Sequence, residues 1–422
     1  MEIETPGRRQ RPSLEQIKRE GYTILAPTML PTHFKIMEGI LRSYGYRAEL
    51  LENGGEHVVD YGLKYVHNDT CYPALLVIGQ LLSAIESGKY DKDRLALLIT
   101  QTGGGCRASK YIRLLRKALD KAGYGNIPVL SLNVSGLERE SSLRLTPGLG
   151  MRLLFAALCG DLLMLLRNQV RPYEVEPGAA RRLEAEWVER LSKTMRRGSV
   201  LRYTAVRKLY KQIVRSFDAI PVTGPRKIRV GIVGEIFVKF SPLGNNDLEK
   251  FLAGENAEVV MPGLLDFCMY CAHSALTDAR LFGMKRVKGF VFGLGLAVLE
   301  IMQRDVIRVI RKNSRFDPPT EFAHVQKLAE TVISPGAKMG EGWLLTGEMI
   351  ELIEQGVNNI VCVQPFGCLP NHIVGKGMMK PLKEKYPQAN IVAVDYDAGA
   401  TRINQENRIK LMLSNAKEAV SV

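Results

Sequence analysis

Leu95-Ala-Leu-Leu-Ile-Thr100 is an apolar run that breaks at Gln101-Thr-Gly-Gly-Gly-Cys106; Arg107 to Ala122 then repeats apolar side chains at three- and four-residue spacing before a second run, Pro128 to Leu132. An unbroken apolar run marks a strand buried on both faces, and a crossover helix between two such runs makes them parallel neighbours. Toward the N-terminus, Tyr22-Thr-Ile-Leu-Ala26 before Pro27 and Arg47 to Leu51 read as further strands, with helices over Thr32 to Tyr44 and Ala74 to Ser87. Toward the C-terminus the pattern turns helical from Ser142 to Phe217, and the strand grammar restarts at Ile228-Arg-Val-Gly-Ile-Val-Gly234. A helix over Asn246 to Ala253, opened by Asn246 as its cap, leads to Glu258-Val-Val-Met261. A helical stretch over Leu265 to Glu330 follows, and Asn359-Ile-Val-Cys-Val363 and Asn390-Ile-Val-Ala-Val-Asp395 flank a helix from Gly377 to Lys385. The expected fold is α/β, with two parallel-sheet domains and helical insertions. Its divisions are a polar leader (1–20), an N-terminal α/β domain (21–140), a helical connector (141–225) and a C-terminal α/β domain with its own insertion (226–422).

At 422 residues and 46% hydrophobic, the chain can bury substantial cores, which excludes disorder as a global description. Its net charge of +14 favours anionic partners. The basic residues, among them Arg8, Arg9, Arg181, Arg182, Arg196 and Arg197, are dispersed rather than interleaved with aromatics in one tract, so nucleic acid is not the expected partner. The charged N-terminus lacks the apolar core of a secretory signal, and the strongest apolar stretches meet Asp161 and Glu300 before a membrane span is complete. A cytoplasmic location and no membrane contact are expected.

Seven cysteines in so long a chain are too few for a disulfide scaffold and point first to metal or redox chemistry. Three occupy turns beside strands or helices: Cys71 in His67-Asn-Asp-Thr-Cys-Tyr-Pro73, Cys106 in Thr102-Gly-Gly-Gly-Cys-Arg107, and Cys368 in Gln364-Pro-Phe-Gly-Cys-Leu-Pro370. In parallel sheets, ligands bind beyond the carboxyl ends of the strands, where such loops lie. Gly103, Gly104 and Gly105 would let the backbone approach inorganic sulfide and donate N–H bonds to it, and helix N-termini after Cys71 and Cys106 would favour thiolates. Three thiolates leave one iron of a 4Fe-4S cluster open to a ligand. The spacings match no compact metal motif, so three reduced thiols in turns is the competing reading. Cys268-Met-Tyr-Cys271 lies in an apolar helix-like run and reads as core thiols, with Cys271 in reserve as a fourth ligand if the fold brings that helix to the loops. Cys159 and Cys362 read as structural. No Walker A loop occurs, and Asp397-Ala-Gly-Ala-Thr401 reads as a strand end and helix cap.

The segments His67 to Pro73, Thr100-Gln-Thr-Gly-Gly-Gly-Cys-Arg-Ala-Ser109, Gly234-Glu-Ile-Phe-Val-Lys-Phe240 and Gln364-Pro-Phe-Gly-Cys-Leu-Pro-Asn-His372 together resemble the 2-hydroxyacyl-CoA dehydratase and benzoyl-CoA reductase-like superfamily. The likeness is greatest to its acyl-CoA dehydratase activase-related branch, and it runs from about residue 20 to 415. It implies Rossmann-like domains and an iron-sulfur cluster on Cys71, Cys106 and Cys368, with Cys271 in reserve. Relatives with double-cubane clusters leave 4Fe-4S against double cubane open. It also implies a separate actin-like ATPase activator, carrying its own cluster, that delivers low-potential electrons in trans. In the dehydratases one electron added to a thioester carbonyl gives a ketyl that expels the neighbouring hydroxyl, after which an otherwise inert proton becomes acidic. Glu235 and His372 are the candidates for proton transfer, each with a helix-cap or helix-opening role as the simpler alternative. The expected activity is reductive dehydration of a 2-hydroxyacyl-CoA or reduction of a small substrate, by a homodimer or with a related second subunit. Two alternatives remain: a non-catalytic electron-transfer or assembly partner of the ATPase, and a zinc-stabilised α/β binding protein.

Overall fold

The computed structural model describes residues 12–67, 69–101, 105–133, 145–283 and 286–421. Eight strands form two four-stranded parallel sheets. The first contains β1 (Thr23–Ala26), β2 (Arg47–Leu50), β3 (Leu95–Gln101) and β4 (Val129–Asn133) in the order β2-β1-β3-β4; the second contains β5 (Arg229–Gly234), β6 (Glu258–Val260), β7 (Asn359–Pro365) and β8 (Asn390–Tyr396) in the order β6-β5-β7-β8. Ile24 pairs with Ala96 and Ile232 with Val361. The central strands are the apolar runs because helices cover both their faces: Leu95, Ala96, Leu97, Val361 and Val363 are wholly buried. Each sheet reverses its winding direction once, between β1 and β3 and between β5 and β7, opening a crevice at the carboxyl ends of those strands.

Three helices, Pro147–Val170, Ala179–Thr194 and Tyr203–Asp218, link the sheets and share one core with Ile36, Ile40, Tyr270 and Trp343. The first is long and apolar enough to cross a bilayer by length and composition. Much of it is covered by protein, with Phe155, Leu158, Leu162, Leu163 and Leu166 in the core. Asp161, in its middle, has two partners that need a carboxylate there: His33 Nε2 at 2.8 Å, and the backbone N–H groups of Leu264 and Leu265, each donating at 2.8 Å. Asp161 thereby caps the helix Leu264–Leu281 from another element.

The sequence reading expected the apolar stretch around Asp161 to fall short of a membrane span, whereas the helix through it has the length and composition of one; two further details depart from that reading. The stretch read as a polar leader contains a helix, Leu14–Arg19, closed by a Ser13/Gln16 capping box and anchored by buried Ile17. Asn246 does not cap the helix after β5: it adopts a left-handed conformation, the helix runs Leu248–Gly254, and Asn245 Oδ1 accepts from Leu248 N–H at 3.1 Å. A four-residue helical turn, Pro242–Asn245, shifts the capping side chain back by one residue.

Candidate metal centre

The carboxyl ends of the two sheets meet through loops. Tyr72 N–H donates to Phe366 C=O at 3.0 Å, tying the helix Tyr72–Glu86 to the loop after β7. Gly367 makes this possible: its φ is +72°, and a Cβ there would sit 3.0 Å from Cys71 Cα. Cys71 is the N-cap of Tyr72–Glu86, and Cys368 follows Gly367 directly. Cys106 precedes the short 3-10 turn Arg107–Lys110 that leads into the helix Tyr111–Lys121. Its neighbours come from a third segment: a Cβ on Gly340 would lie 3.9 Å from Cys106 Cβ, and one on Gly105 would strike Met339 Sδ. Gly105 has φ +74°. Gly103 and Gly104 lie outside the described residues.

Each of the four thiols expected as ligands lies within electrostatic reach of one or both of two carboxylates. Glu341 acts electrostatically on Cys106, Cys271 and Cys368, and Glu235 on Cys71, Cys106 and Cys368. Cys71 in turn opposes ionisation of Cys106 and Cys368, and Cys106 that of Cys271. Cys271 lies in the helix that Asp161 caps. Its side chain is exposed, yet crowding by surrounding protein holds its thiol far above the usual range. Cys106 and Cys368 are half-buried and Cys71 is buried. Cys268, one helical turn earlier, is desolvated and pushed up to about 12, while Cys159 and Cys362 are wholly buried, the latter with its Sγ 3.9 Å from Asn371 Oδ1.

Burial is the largest influence on every one of these thiols. It raises Cys71 despite a 2.9 Å contact with the Tyr111 hydroxyl and a backbone N–H bond from Ala74, and it lifts Cys106 to about 11. The helix N-terminus expected to produce a thiolate at Cys71 is therefore outweighed by desolvation in the metal-free chain.

Glu235 caps the helix Ile236–Phe240, its Oε2 accepting from Val238 N–H at 2.9 Å. Glu341, which sequence reasoning missed, shares that helix end: its Oε1 accepts from Ile236 N–H at 3.1 Å. Burial and then the Glu341 charge push Glu235 up to about 8, so the pair retains a proton near neutrality. The signal for Glu341 was Gly340-Glu-Gly342, a carboxylate between two glycines immediately before a helix; both glycines have positive φ. His372 is not in this group. It is exposed on the π-turn Asn371–Gly375, where its ring is bonded to Gln364.

Among the described residues, no three His, Cys, Asp or Glu side chains stand close enough to hold a single metal ion. No protein-family model matches the chain, and no curated protein matches it.

The junction makes a direct prediction. Gly367→Ala places a side chain against Cys71 and carries a left-handed strain of about 1–2 kcal/mol. Gly356→Ala carries the same strain at φ +74° with nothing within 4 Å of the new Cβ, far from the thiols. Both variants should melt earlier than wild type, and only Gly367→Ala should also bind less iron in anaerobic preparations. Equal iron in the two would refute the role given to the Gly367–Cys71 contact.

Proposed function

We propose that this chain is an iron-sulfur protein that receives low-potential electrons from a separate ATP-hydrolysing activator and uses them for a reductive dehydration of a 2-hydroxyacyl-CoA or the reduction of a small substrate. The observation that supports the reading is that Cys71, Cys106, Cys271 and Cys368, from four distant parts of the chain, are linked electrostatically to one another and to Glu235 and Glu341. Three or four thiols are the donor set of a 4Fe-4S cluster, and with Cys268 one turn away a double cubane remains compatible.

The donor chemistry fits. Thiols are soft ligands, and these are neutral without a metal because burial and two nearby carboxylates oppose thiolate formation. A bound polycationic centre reverses that balance and deprotonates them outright. When bound, such a cluster supplies one-electron chemistry at low potential, with an iron vertex acting as a Lewis acid wherever a thiolate is absent. The protein's own groups then have defined tasks. Tyr111 holds the Cys71 sulfur from one side, and the Gly105 backbone, with no Cβ, lies close to Met339. Glu235 and Glu341 hold a proton beside the thiols, at a helix N-terminus that favours its release when charge there falls. The dehydratase-like reading draws further support from the four sequence segments that resemble that superfamily: Cys71, Cys106, Glu235 and Cys368, one from each, act on one another electrostatically.

Anaerobic purification followed by iron and sulfide analysis tests the proposal. Iron and sulfide in equal amounts, about four or more per chain, with bleaching of the visible absorption on mixing with an activator ATPase, ATP and a reductant, is the expected outcome. A colourless protein without iron overturns it.

A further inference from the structure

The hairpin of helices Leu264–Leu281 and Arg286–Asn313 carries an exposed apolar face. In the second helix, Gly289-Phe-Val-Phe-Gly-Leu-Gly-Leu-Ala-Val-Leu299 is apolar on every side. A helix that is hydrophobic all round belongs in an interior. Its inner side meets that condition: Leu296 is buried in the helical core, Phe292 and Leu299 pack against that core, and a Cβ on Gly289 would strike Ala279 of the neighbouring helix. Its outer side does not. Val287, Phe290, Val291, Leu294, Ala297, Val298 and Ile301 are exposed, the large ones by between 44% at Val298 and 80% at Val287. Leu281 and Phe282, just before this helix, are exposed too.

The order of the exposed positions identifies what fits them. Counted from Leu294 they fall 3, 4 and 7 residues away on either side, so that Ala297 mirrors Val291, Val298 mirrors Phe290 and Ile301 mirrors Val287. Reversing the helix about Leu294 lays the stripe on itself, which is what a two-fold axis through that residue does to two antiparallel copies. A different partner would not require the stripe to mirror itself. Each of the inner levels then sets a larger side chain against a smaller one, Phe290 against Val298 and Val291 against Ala297. Gly293 and Gly295 are mirror positions as well, and a Cβ on Gly295 would meet nothing within 4 Å, so the two backbones can approach closely beside the axis.

The area suffices. A Val, Leu, Ile or Phe side chain hides ~60–120 Å² when fully buried; at the observed exposures the six large side chains of the stripe, with Leu281 and Phe282, offer roughly 300–600 Å². A standard interface hides ~800 Å² per partner, of which about 65% is apolar in homodimers, or ~500 Å².

We propose that a second copy of this chain docks on this face, the two Arg286–Asn313 helices packing antiparallel across a two-fold axis at Leu294. The pairing is independent of the iron-sulfur reading, since no cysteine belongs to the stripe.

Sedimentation of the anaerobically purified protein tests it. Wild type should run at twice the mass of one chain. Phe290→Glu and Val298→Lys each set a charge against an apolar side chain of the other copy and should weaken association about thirtyfold or more. Far-UV circular dichroism should be unchanged in both, because both sites are exposed. Combining the two changes in one chain places opposite charges at facing levels of the two copies and should recover the dimer. The positions are eight residues apart, beyond the three- and four-residue spacing at which side chains of a single helix meet, so the rescue reports contact between copies. A monomeric wild type overturns the proposal, as does a dimer that survives both single changes or a double variant that stays monomeric. A monomeric wild type that pellets with phosphatidylcholine vesicles containing phosphatidylserine overturns it in favour of a lipid surface. Iron content separates the two ideas: a dimer that binds no iron keeps the pairing and removes the cluster, whereas full iron in a monomer does the reverse.

Discussion

Replacing Cys106 with alanine should lower iron affinity by about a hundredfold or more, since altering even the groups that support metal ligands costs 10–100-fold. Cys368→Ala and Cys71→Ala should do the same. Cys159→Ala should bind iron like wild type, because its thiol is wholly buried among the helices of the other core. The pairing of variants matters: each Cys→Ala removes one sulfur and little volume, so a general loss of folding would affect Cys159→Ala equally. Cys271→Ala distinguishes three protein ligands from four. If it retains iron with an unchanged electron paramagnetic resonance signal, one vertex is already open in the native protein; if it loses iron or the signal changes, Cys271 is a ligand. Iron per chain after anaerobic gel filtration reads all five variants, and equal values across the set would refute the site.

Lys239→Met, which removes the ammonium that donates to both Glu348 oxygens at 2.9 and 3.0 Å, should be the most damaging single change away from the four thiols. It leaves Glu348 buried without its counter-charge, which costs about 3–5 kcal/mol in other proteins. Even with Lys239 present, burial outweighs the ammonium and holds the Glu348 carboxyl above its ordinary value. Without Lys239 the rise is greater, and the sign of the pH effect follows. The folded state then binds a proton that the unfolded state has already released, so stability is retained below the ordinary glutamate range and lost as pH rises through the elevated folded value. Denaturant melts should show a small deficit near pH 5 and the full deficit near pH 8. Adding Glu348→Gln to Lys239→Met should recover much of the loss at pH 8, since removing both charges is far less costly than stranding one. A deficit independent of pH would show that packing of the lysine stem, rather than charge, holds this part of the core together.

The strands were legible because both faces of each are covered, so Leu95 to Gln101, Arg229 to Gly234 and Asn390 to Tyr396 are nearly continuous apolar runs bounded by turn residues. Asn246 misled because capping depends on which residue faces the first free N–H, and the preceding turn decided in favour of Asn245. In the site, the loop cysteines announced themselves through glycine and proline neighbours. Cys271 read as a core residue because its helix is apolar on both sides, and only the structure shows that Cys106 and Glu341 act on its thiol. Glu341, Lys239 and Glu348 were not found, since a single carboxylate in a helix resembles a solvated one until packing shows that nothing but protein surrounds it.

The scattered origin of the four thiols has a consequence for biosynthesis. Cys71 leaves the ribosome long before Cys368, and translation at 5–20 residues per second puts roughly 15–60 s between them. Throughout that interval the early cysteines have no partners from the second half of the chain, and they are open to oxidation or to scavenging of the wrong metal. On the proposed cluster reading, loading would wait for a finished polypeptide, and a prematurely terminated product would have no means of retaining a cluster, however well its first sheet folds.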